Sequence, residues 1–492
     1  MITIHSRPVF SYIKEPFHNI RVIRRLSADM RLYMKGAEYS SKHVSNKLTK
    51  CPSCRTPQKY GKTGKCASCK STLPVPSGWD GYIQFITSGG RFLTGLLPLV
   101  SRLLEEMGEE ASIKYPDQPP DAQKGAKFEL NGVTLRDYQV EAVKTALGAR
   151  RGILEMATNA GKTEVAISIM ANLVKYGQIL WLTHSLTLNE QTISRILGRV
   201  GLRVSKCRMG NADLSGEIVV SNVQTLNSVL KKDRGPLSVW LGDIASVILD
   251  ECHLGSAASW VNILTRCESA QFRFGLSGTP YTDDKVRNRE LVGITGETIY
   301  KVGNQYLINK DVSCVPIVMS IPFSHKEYLS YAVAIDKGID HNNNRNSLII
   351  NTLSRLENGR PGLVLVQHIS QGKELLRIAK SMKKNAVFVR GANTLSERSQ
   401  AIKCLRENTL DFVIATTIFD LGVDIPELSW LFLASPTKST VRILQRIGRV
   451  LRKADGKDEA MVYYVDDDGD YFLRSAAKKM HSVIKKEGFE IV

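Results

Sequence analysis

The sequence lacks any apolar run approaching the ~18 residues that a membrane-spanning helix requires. Its first thirty residues carry Arg7, Lys14, Arg21, Arg24 and Arg25 but no apolar stretch of the kind a secretory leader needs. The expectation is a cytoplasmic protein with no membrane partner. Cysteine is sparse, nine in 492 residues. Five of the nine (Cys207, Cys252, Cys267, Cys314, Cys404) are scattered, which suits a reducing compartment and excludes a disulfide scaffold. Short-period repeats and low-complexity tracts are also missing. Hydrophobic residues make up 43% and charged residues 23%, which excludes a largely disordered chain.

Acidic residues are in short supply. Asp and Glu number 48 against 67 Lys and Arg, a net charge of +19. The shortage is uneven, because residues 1–70 hold 15 Lys and Arg but only 3 Asp and Glu. Such a field points to a polyanion, nucleic acid before membrane, met by a dedicated face near the N-terminus.

What is present divides the chain into three parts. Residues 1–125 are basic and contain a cysteine quartet. An apolar helical stretch, Phe92–Met107, follows, and then a proline-rich linker at Tyr115–Asp121. From 126 to 310, short apolar runs alternate with amphipathic ones: Gly152–Met156, Gln178–Thr183, Glu217–Ser221, Ser246–Leu249 and Phe272–Leu276. Runs this short, separated by helical stretches, are buried parallel strands of a doubly wound layer. Residues 311–492 repeat the pattern at Val315–Ile321, Leu363–Gln367, Ala386–Val389, Phe412–Ala415 and Trp430–Ala434. A hinge is expected at Tyr300–Val315. The fold class is α/β, with two tandem parallel-sheet domains behind a small α+β domain.

Two motifs carry chemistry. After the run at 152–156 comes Ala157-Thr158-Asn159-Ala160-Gly161-Lys162-Thr163, and then a helical stretch at Glu164–Lys175. Strand, loop, Gly-Lys-Thr, helix is the context of a triphosphate loop. Backbone N–H groups at the helix start surround phosphate oxygens, Lys162 reaches the β- and γ-phosphates, and Thr163 binds Mg2+. The strict pattern wants Gly where Met156 stands, and Gly is common where Asn159 stands. Asn tolerates left-handed backbone, so the loop still forms. Downstream, Ser246–Leu249 runs into Asp250-Glu251-Cys252-His253. Asp250 at the strand end suits Mg2+, and Glu251 suits a general base for the attacking water.

The quartet Cys51, Cys54, Cys66 and Cys69 has C-x2-C-x11-C-x2-C spacing. Two such turns present four thiolates to a tetrahedral zinc ion, with a short hairpin expected at Tyr60–Lys65. With no ligand position left for water, the zinc would be structural, a pinned platform for the surrounding lysines. Trp79 and Tyr82, in Gly78–Gln84, either stack on bases or fill the small domain's core.

The ordered motifs resemble superfamily 2 helicases of the DExH type over roughly residues 130–455. Leu135–Gln139 resembles the adenine-reading Gln motif, which implies base contacts from Arg136 and Gln139. Leu180–Gln191, with Thr183 and His184, resembles motif Ia, and Val219–Leu226, with Gln224 and Thr225, the next strand-contacting motif. Asp250–His253 resembles motif II, and Ser277-Gly278-Thr279-Pro280 motif III. Leu363–Glu374 resembles motif IV. Ala415-Thr416-Thr417 with Gly422 to Pro426 resembles motif V, which implies nucleotide contacts from Gly422 and Asp424. Gln445–Arg452 fits Q-x-x-G-R-x-x-R of motif VI.

The resemblance implies ATP between two RecA-like domains. Arg452 would be the charge-compensating arginine with Arg449 beside it, and Thr183, His184, Gln224, Thr225, Thr416 and Thr417 would lie along nucleic acid. His253, Gln445, Ser277 and Thr279 would couple nucleotide state to that strand. Gly78–Gln84 and Thr94–Pro98 resemble the N-terminal module of phage branch-migration helicases of the UvsW type, although the zinc quartet is not part of that pattern. The implied protein is a monomeric, ATP- and Mg2+-dependent motor on branched, forked or single-stranded DNA, in the host cytoplasm if phage-encoded. Rival readings are an RNA helicase, the duplex translocase of a restriction system, or a scaffold that uses ATP only as a clamp.

Overall fold

The apolar runs expected as strands are strands, and most are buried on both faces, as strands covered by helices must be, while Val315–Ser324 is partly exposed along its length. All five residues of Ile179–Thr183 and of Ile218–Asn222 are buried, as are all six of Phe272–Ser277. In this computed structural model the described residues are 2–14, 20–33, 48–50, 57–59, 82–115, 121–184, 186–208, 211–232, 235–356, 361–416 and 425–492.

Two RecA-like lobes form the body. The first is an eight-stranded sheet in the order Asn211–Ala212, Val204–Arg208, Ile218–Asn222, Ile179–Thr183, Ser246–Asp250, Phe272–Ser277, Arg151–Met156, Thr298–Val302. Its pairs are parallel except the outermost, between 204–208 and 211–212. The second lobe is a fully parallel seven-stranded sheet, ordered Ala386–Val389, Phe412–Ala415, Gly362–Leu365, Trp430–Leu433, Glu459–Asp468, Val315–Ser324, Glu490–Ile491. Each sheet has an apolar core on both sides. In parallel sheets all strand carboxyl ends share one edge, and ligand-binding loops gather there. Residues 157–161, Glu251 and Ser277–Thr279 therefore converge on one rim.

A buried ionic network fastens the carboxyl ends of strands in the second lobe. Arg345 donates from Nε and Nη2 to the two Asp467 oxygens, at 2.7 and 2.8 Å, and from Nη1 to the Ala434 carbonyl. His325 Nε2 lies 2.8 Å from the same carboxylate. Burial alone would raise Asp467, but Arg345 and His325 outweigh it and hold the carboxyl below its ordinary value.

The N-terminal part is α+β. Its four-stranded sheet runs Arg91–Leu93, Phe10–Ile13, Ile2–Ser6, Ala111–Lys114, with helices Ile20–Asp29 and Leu97–Glu106 closing a core of Ile4, Ile13, Leu26, Phe92 and Val100. It is seated on the first lobe. Arg102 pairs with Glu297 through two nitrogens, and Arg151 Nη2 donates to the Pro8 carbonyl at 2.5 Å. Gly95 sits where a Cβ would come within 2.0 Å of the Val292 carbonyl oxygen, so only glycine permits this approach.

Several expectations need correction. The helix foreseen at Phe92–Met107 begins at Leu97, because Arg91–Leu93 pairs as a strand and Thr94–Leu96 is a 3-10 turn. The stretch Tyr300–Val315, expected as a hinge, does link the two sheets, and it carries the end of an edge strand and the helix Asn304–Asn309. The long strand Glu459–Asp468 was not foreseen, and it pairs residue for residue with Val315–Ser324.

The cysteine quartet, the Tyr60–Lys65 hairpin and Trp79 lie outside the described residues. A described hairpin pairs Leu48–Lys50 with Pro57–Lys59. Among the described residues no group of three or more His, Cys, Asp or Glu is arranged to hold a metal, and no helix is long and apolar enough to cross a membrane.

Candidate nucleotide site

The strand Arg151–Met156 ends at a loop that turns through two left-handed residues, Asn159 (φ 78°) and Gly161 (φ 76°), before the helix Lys162–Leu173 begins. The loop is braced from three sides. Ala157 N donates to the Val302 carbonyl at 2.8 Å. Gly278 of the Ser-Gly-Thr-Pro turn packs on it, a built Cβ lying 3.2 Å from the Met156 carbonyl oxygen. Gln139 Nε2 donates to the Ala160 carbonyl at 2.9 Å. Lys162 Nζ rests on the Met156 and Ala157 carbonyls at 3.3 and 3.4 Å. These are long, weak contacts that an anionic oxygen would displace. Thr163 follows in the first turn of the helix.

Gln139 departs from its expected role. It is 3% exposed, and its Oε1 accepts from Arg136 N at 2.8 Å, satisfying the backbone N–H of the N-cap residue at the start of Asp137–Ala149. Both ends of its amide thus serve the protein backbone. Arg136 stands at the N-cap position, with Nη1 at 3.5 Å from Tyr138 Oη. Tyr138 meets the half-exposed Tyr306 edge to face at 5.7 Å, the aromatic surface nearest this corner of the loop.

The acidic pair stands on the next-but-one strand. Asp250 Oδ1 accepts from Glu251 N at 3.0 Å, and Glu251 takes left-handed backbone at φ 51°. Burial and the neighbouring Glu251 push the Asp250 carboxyl up, to about 7. Burial works against the Glu251 charge too, but the His253 hydrogen bond and the Lys162 and His184 charges hold it down, to about 2. The two carboxyls are thus driven apart, one toward neutrality and one firmly ionised.

A chain of contacts leads away from Glu251. His253 Nδ1 lies 3.4 Å from Glu251 Oε2 and 3.3 Å from Ser277 Oγ, which in turn accepts from Thr279 N at 3.1 Å. Thr279 Oγ1 is buried without a hydrogen-bond partner among the described residues. Burial pushes the His184 imidazole down, though Glu251 pulls it the other way, so this motif Ia side chain lies within electrostatic reach of the acid pair.

The second lobe closes the site with the helix Thr440–Val450. Gln445 Nε2 donates to Glu251 Oε2 at 3.2 Å, and Arg452 Nε to Asn159 Oδ1 at 3.0 Å. Arg449 is half-buried on the same helix. The phosphate loop, the acid pair and the arginine-bearing helix therefore come together in one cleft, as the motif order implies.

The expected nucleic-acid contacts are placed less simply. Gln224 is exposed, but Thr183 is fully buried, and Thr225 and Thr416 are 5% and 7% exposed. Thr183 and Thr416 stand at strand ends in sheets covered on both faces, and Thr225 is on the buried face of the helix Val223–Lys232, so these three side chains do not offer a surface to a strand in this arrangement. Thr417, Gly422 and Asp424 lie outside the described residues.

Sequence reasoning missed Lys457. This buried lysine donates from Nζ to the carbonyls of Pro426, Val450 and Arg452 at 2.8, 2.6 and 2.8 Å, tying the arginine-bearing helix to the last residue of motif V. A lysine in a polar turn after Gly456 gives no local signal of burial.

Comparison with known proteins agrees with this geometry. Residues 132–282 match the family described as type III restriction enzyme, res subunit, and residues 344–454 match the helicase conserved C-terminal domain. The chain is 26% identical over 441 residues to the ATP-dependent DNA helicase uvsW of Enterobacteria phage T4, covering 82% of this chain and 84% of that protein. It is 24% identical over 381 residues to the DNA 3'-5' translocase XPB2 of Sulfurisphaera tokodaii, covering 69% and 84%. Among solved structures, the ATP-dependent Type ISP restriction-modification enzyme LlaBIII bound to DNA shares the fold with a TM-score of 0.55, at 17% identity, over 72% of this chain and 30% of that one.

Proposed function

The chain is a superfamily 2 helicase resembling uvsW, an ATP-dependent hydrolase, and from that premise we propose that it is a motor that remodels branched DNA. We read it as an N-terminal DNA-engaging domain over 1–125, an ATP-binding domain over 126–310 and a second motor domain over 311–492.

The residues present suit ATP with Mg2+. Asp250 is pushed toward neutrality by burial and by Glu251, a condition that a hard divalent cation relieves. Asp250 and Thr163 would hold Mg2+, which would supply positive charge to offset that of the triphosphate. Lys162 leaves its carbonyl contacts for the β- and γ-phosphate oxygens. Glu251, ionised, accepts hydrogen bonding from the attacking water and orients it. Arg452 and Arg449 bring positive charge from the facing lobe to the γ-phosphoryl oxygens as charge develops there. Gln445 and His253, both on Glu251, tie the water-orienting group to the second lobe and to the Ser277–Thr279 turn, so hydrolysis and lobe movement share contacts.

The observation that carries the reading is the meeting of Gln445 with Glu251 and of Arg452 with Asn159 across the cleft. Work on branched DNA is supported by the likeness to uvsW, which extends over 82% of the chain, and by the basic excess in residues 1–70. We place zinc on Cys51, Cys54, Cys66 and Cys69 from their spacing. We also propose a monomer acting in the cytoplasm, the host's if the chain is phage-encoded.

The decisive experiment is steady-state ATP hydrolysis with single-stranded DNA, linear duplex, forked DNA, a four-way junction and RNA as stimulants. The reading requires the strongest stimulation from forked or four-way DNA. The match of residues 132–282 to the res subunit favours a second reading, duplex translocation. In that case stimulation would grow with duplex length and ignore branch points, and preferential stimulation by RNA would overturn both.

A further inference from the structure

Asn159 occupies the crown of the phosphate loop in left-handed backbone, φ 78°. Glycine takes that conformation at no steric cost, whereas asparagine only tolerates it. The side chain present in exchange is directed at the other lobe. Its Nδ2 donates to the Gly448 carbonyl at 3.0 Å, and its Oδ1 accepts from Arg452 Nε at 3.0 Å. Nδ2 also lies 3.4 Å from Ser313 Oγ, on a residue whose backbone bridges antiparallel to Arg452. All three partners belong to the second lobe. The contact is close because Gly448 has no side chain: a Cβ there would stand 2.5 Å from Thr158 Cβ.

We propose that Asn159 is a positioning residue that holds Arg452 at the phosphate loop and releases it to the γ-phosphate during the ATP cycle. The proposal rests on the reading of Arg452 as the charge-compensating arginine. The bond to Asn159 is made through Nε, one nitrogen of the pair that can meet two phosphate oxygens at once. A neutral carboxamide is also a weaker partner for a guanidinium than a phosphate oxyanion, because only the oxyanion adds opposite charge and a second acceptor to the hydrogen bond. Transfer from Asn159 to phosphate is therefore downhill, and the arginine starts close to its target. Pre-placement of this kind lowers the barrier because little reorganisation is left for the chemical step. The second bond, to the Gly448 carbonyl, fixes the helix that precedes the arginine, so the carboxamide sets both the position of the charge and the backbone behind it.

The test is Asn159→Gly in the full chain. Glycine removes the clasp and relaxes the backbone, so a residue that merely shapes the loop would gain stability and keep its turnover. Positioning predicts a different split. DNA-stimulated kcat falls by roughly ten- to hundredfold, the loss expected for one hydrogen bond to a charged group. KM for ATP stays within about twofold, because the loop N–H groups that hold the phosphates remain.

Arg452 supplies the control. Combined with Arg452→Lys, which keeps the charge but not Nε, Asn159→Gly should cost almost nothing more. Near wild-type kcat in Arg452→Ala would sink the arginine reading itself. A severe loss in Arg452→Ala with full kcat in Asn159→Gly would sink the clasp alone. Fully additive losses, or a loss confined to KM, would also overturn it.

Discussion

Gln445 reaches across the cleft and donates through Nε2 to Glu251 Oε2 at 3.2 Å, so the residue assigned to orient water is held by the lobe opposite its own. Replacing Glu251 by Gln keeps an oxygen for Gln445 but removes the charge that polarises water. Turnover should fall by about 10²–10⁴, the usual contribution of a general base. Lys162→Ala should be similarly inactive through loss of phosphate contacts. Both variants should bind DNA with near wild-type affinity by fluorescence anisotropy. Retained ATP hydrolysis in either would show that the site is misassigned, and lost hydrolysis with unchanged DNA binding separates the motor from a scaffold.

Gly448 lets the two lobes touch. An alanine methyl at that position would stand 2.5 Å from Thr158 Cβ, closer than carbon atoms pack. Alanine is nonetheless the better helix former, by about 1 kcal/mol. Gly448→Ala should therefore leave thermal stability unchanged or slightly raised while ATP turnover drops at least about tenfold, because closure is blocked. A variant that unfolds earlier than wild type would place the role of Gly448 in the second lobe's own packing instead.

Lys457 gives a pH signature. Burial pulls its amine down to about 8. Below that pH the lysine is charged in both folded and unfolded chains, and its burial penalty is present in full. Between about 8 and its ordinary value near 10.4, the unfolded chain binds the proton that the folded chain has released. The unfolded state then holds more protons, so this group makes stability rise with pH through that window. Lys457→Met should abolish this rise, measured as the difference in denaturant midpoint against wild type at pH 7 and 9.5. It should also destabilise the second lobe at pH 7 by about 1–3 kcal/mol, since three buried carbonyls lose their donor. An identical pH slope in variant and wild type would exclude Lys457 as its source.

Much of the fold was legible because parallel strands buried on both faces must be apolar throughout. Ile179–Thr183 and Phe272–Ser277 could be read as such without knowledge of their neighbours. Glu459–Asp468 escaped because it starts with Glu459 and ends in three aspartates. Those acids make sense only in three dimensions, where Asp467 meets Arg345, 122 residues away in the chain. The cleft was legible for the opposite reason, that the residue types at fixed spacing are dictated by phosphate and water chemistry. Sequence could not say which polar residues face outward. Thr183, Thr225 and Thr416 match the motif spacing, but all three side chains are buried, two at strand ends and Thr225 on a helix. Gln139 matches too, but its amide is committed to Arg136 and Ala160.

The cysteine quartet offers a test that leaves the rest of the chain intact. Leu32–Tyr33 pairs antiparallel with Tyr82–Ile83, with Tyr33 opposite Tyr82, so the chain leaves for residues 34–81 and returns at neighbouring points. Cutting the chain at residue 75 would remove Ile2–Ser6 and Phe10–Ile13, inner strands of the N-terminal sheet, and unseat the Pro8 contact with Arg151. Replacing residues 34–81 by a short Gly- and Asn-containing turn avoids that damage, because a tight turn can close two antiparallel neighbours. The full-length protein should contain about one zinc per chain, lost in Cys51→Ser. The shortened protein should keep its DNA-free ATP hydrolysis. Its affinity for forked and duplex DNA should fall, with a shallower dependence on salt, because nine lysines and arginines leave with the segment. Metal-free protein that binds forks normally would discard the zinc assignment. Unchanged affinity and salt dependence in the shortened protein would move the DNA-engaging face elsewhere, to the sheet and helices that remain seated on the first lobe.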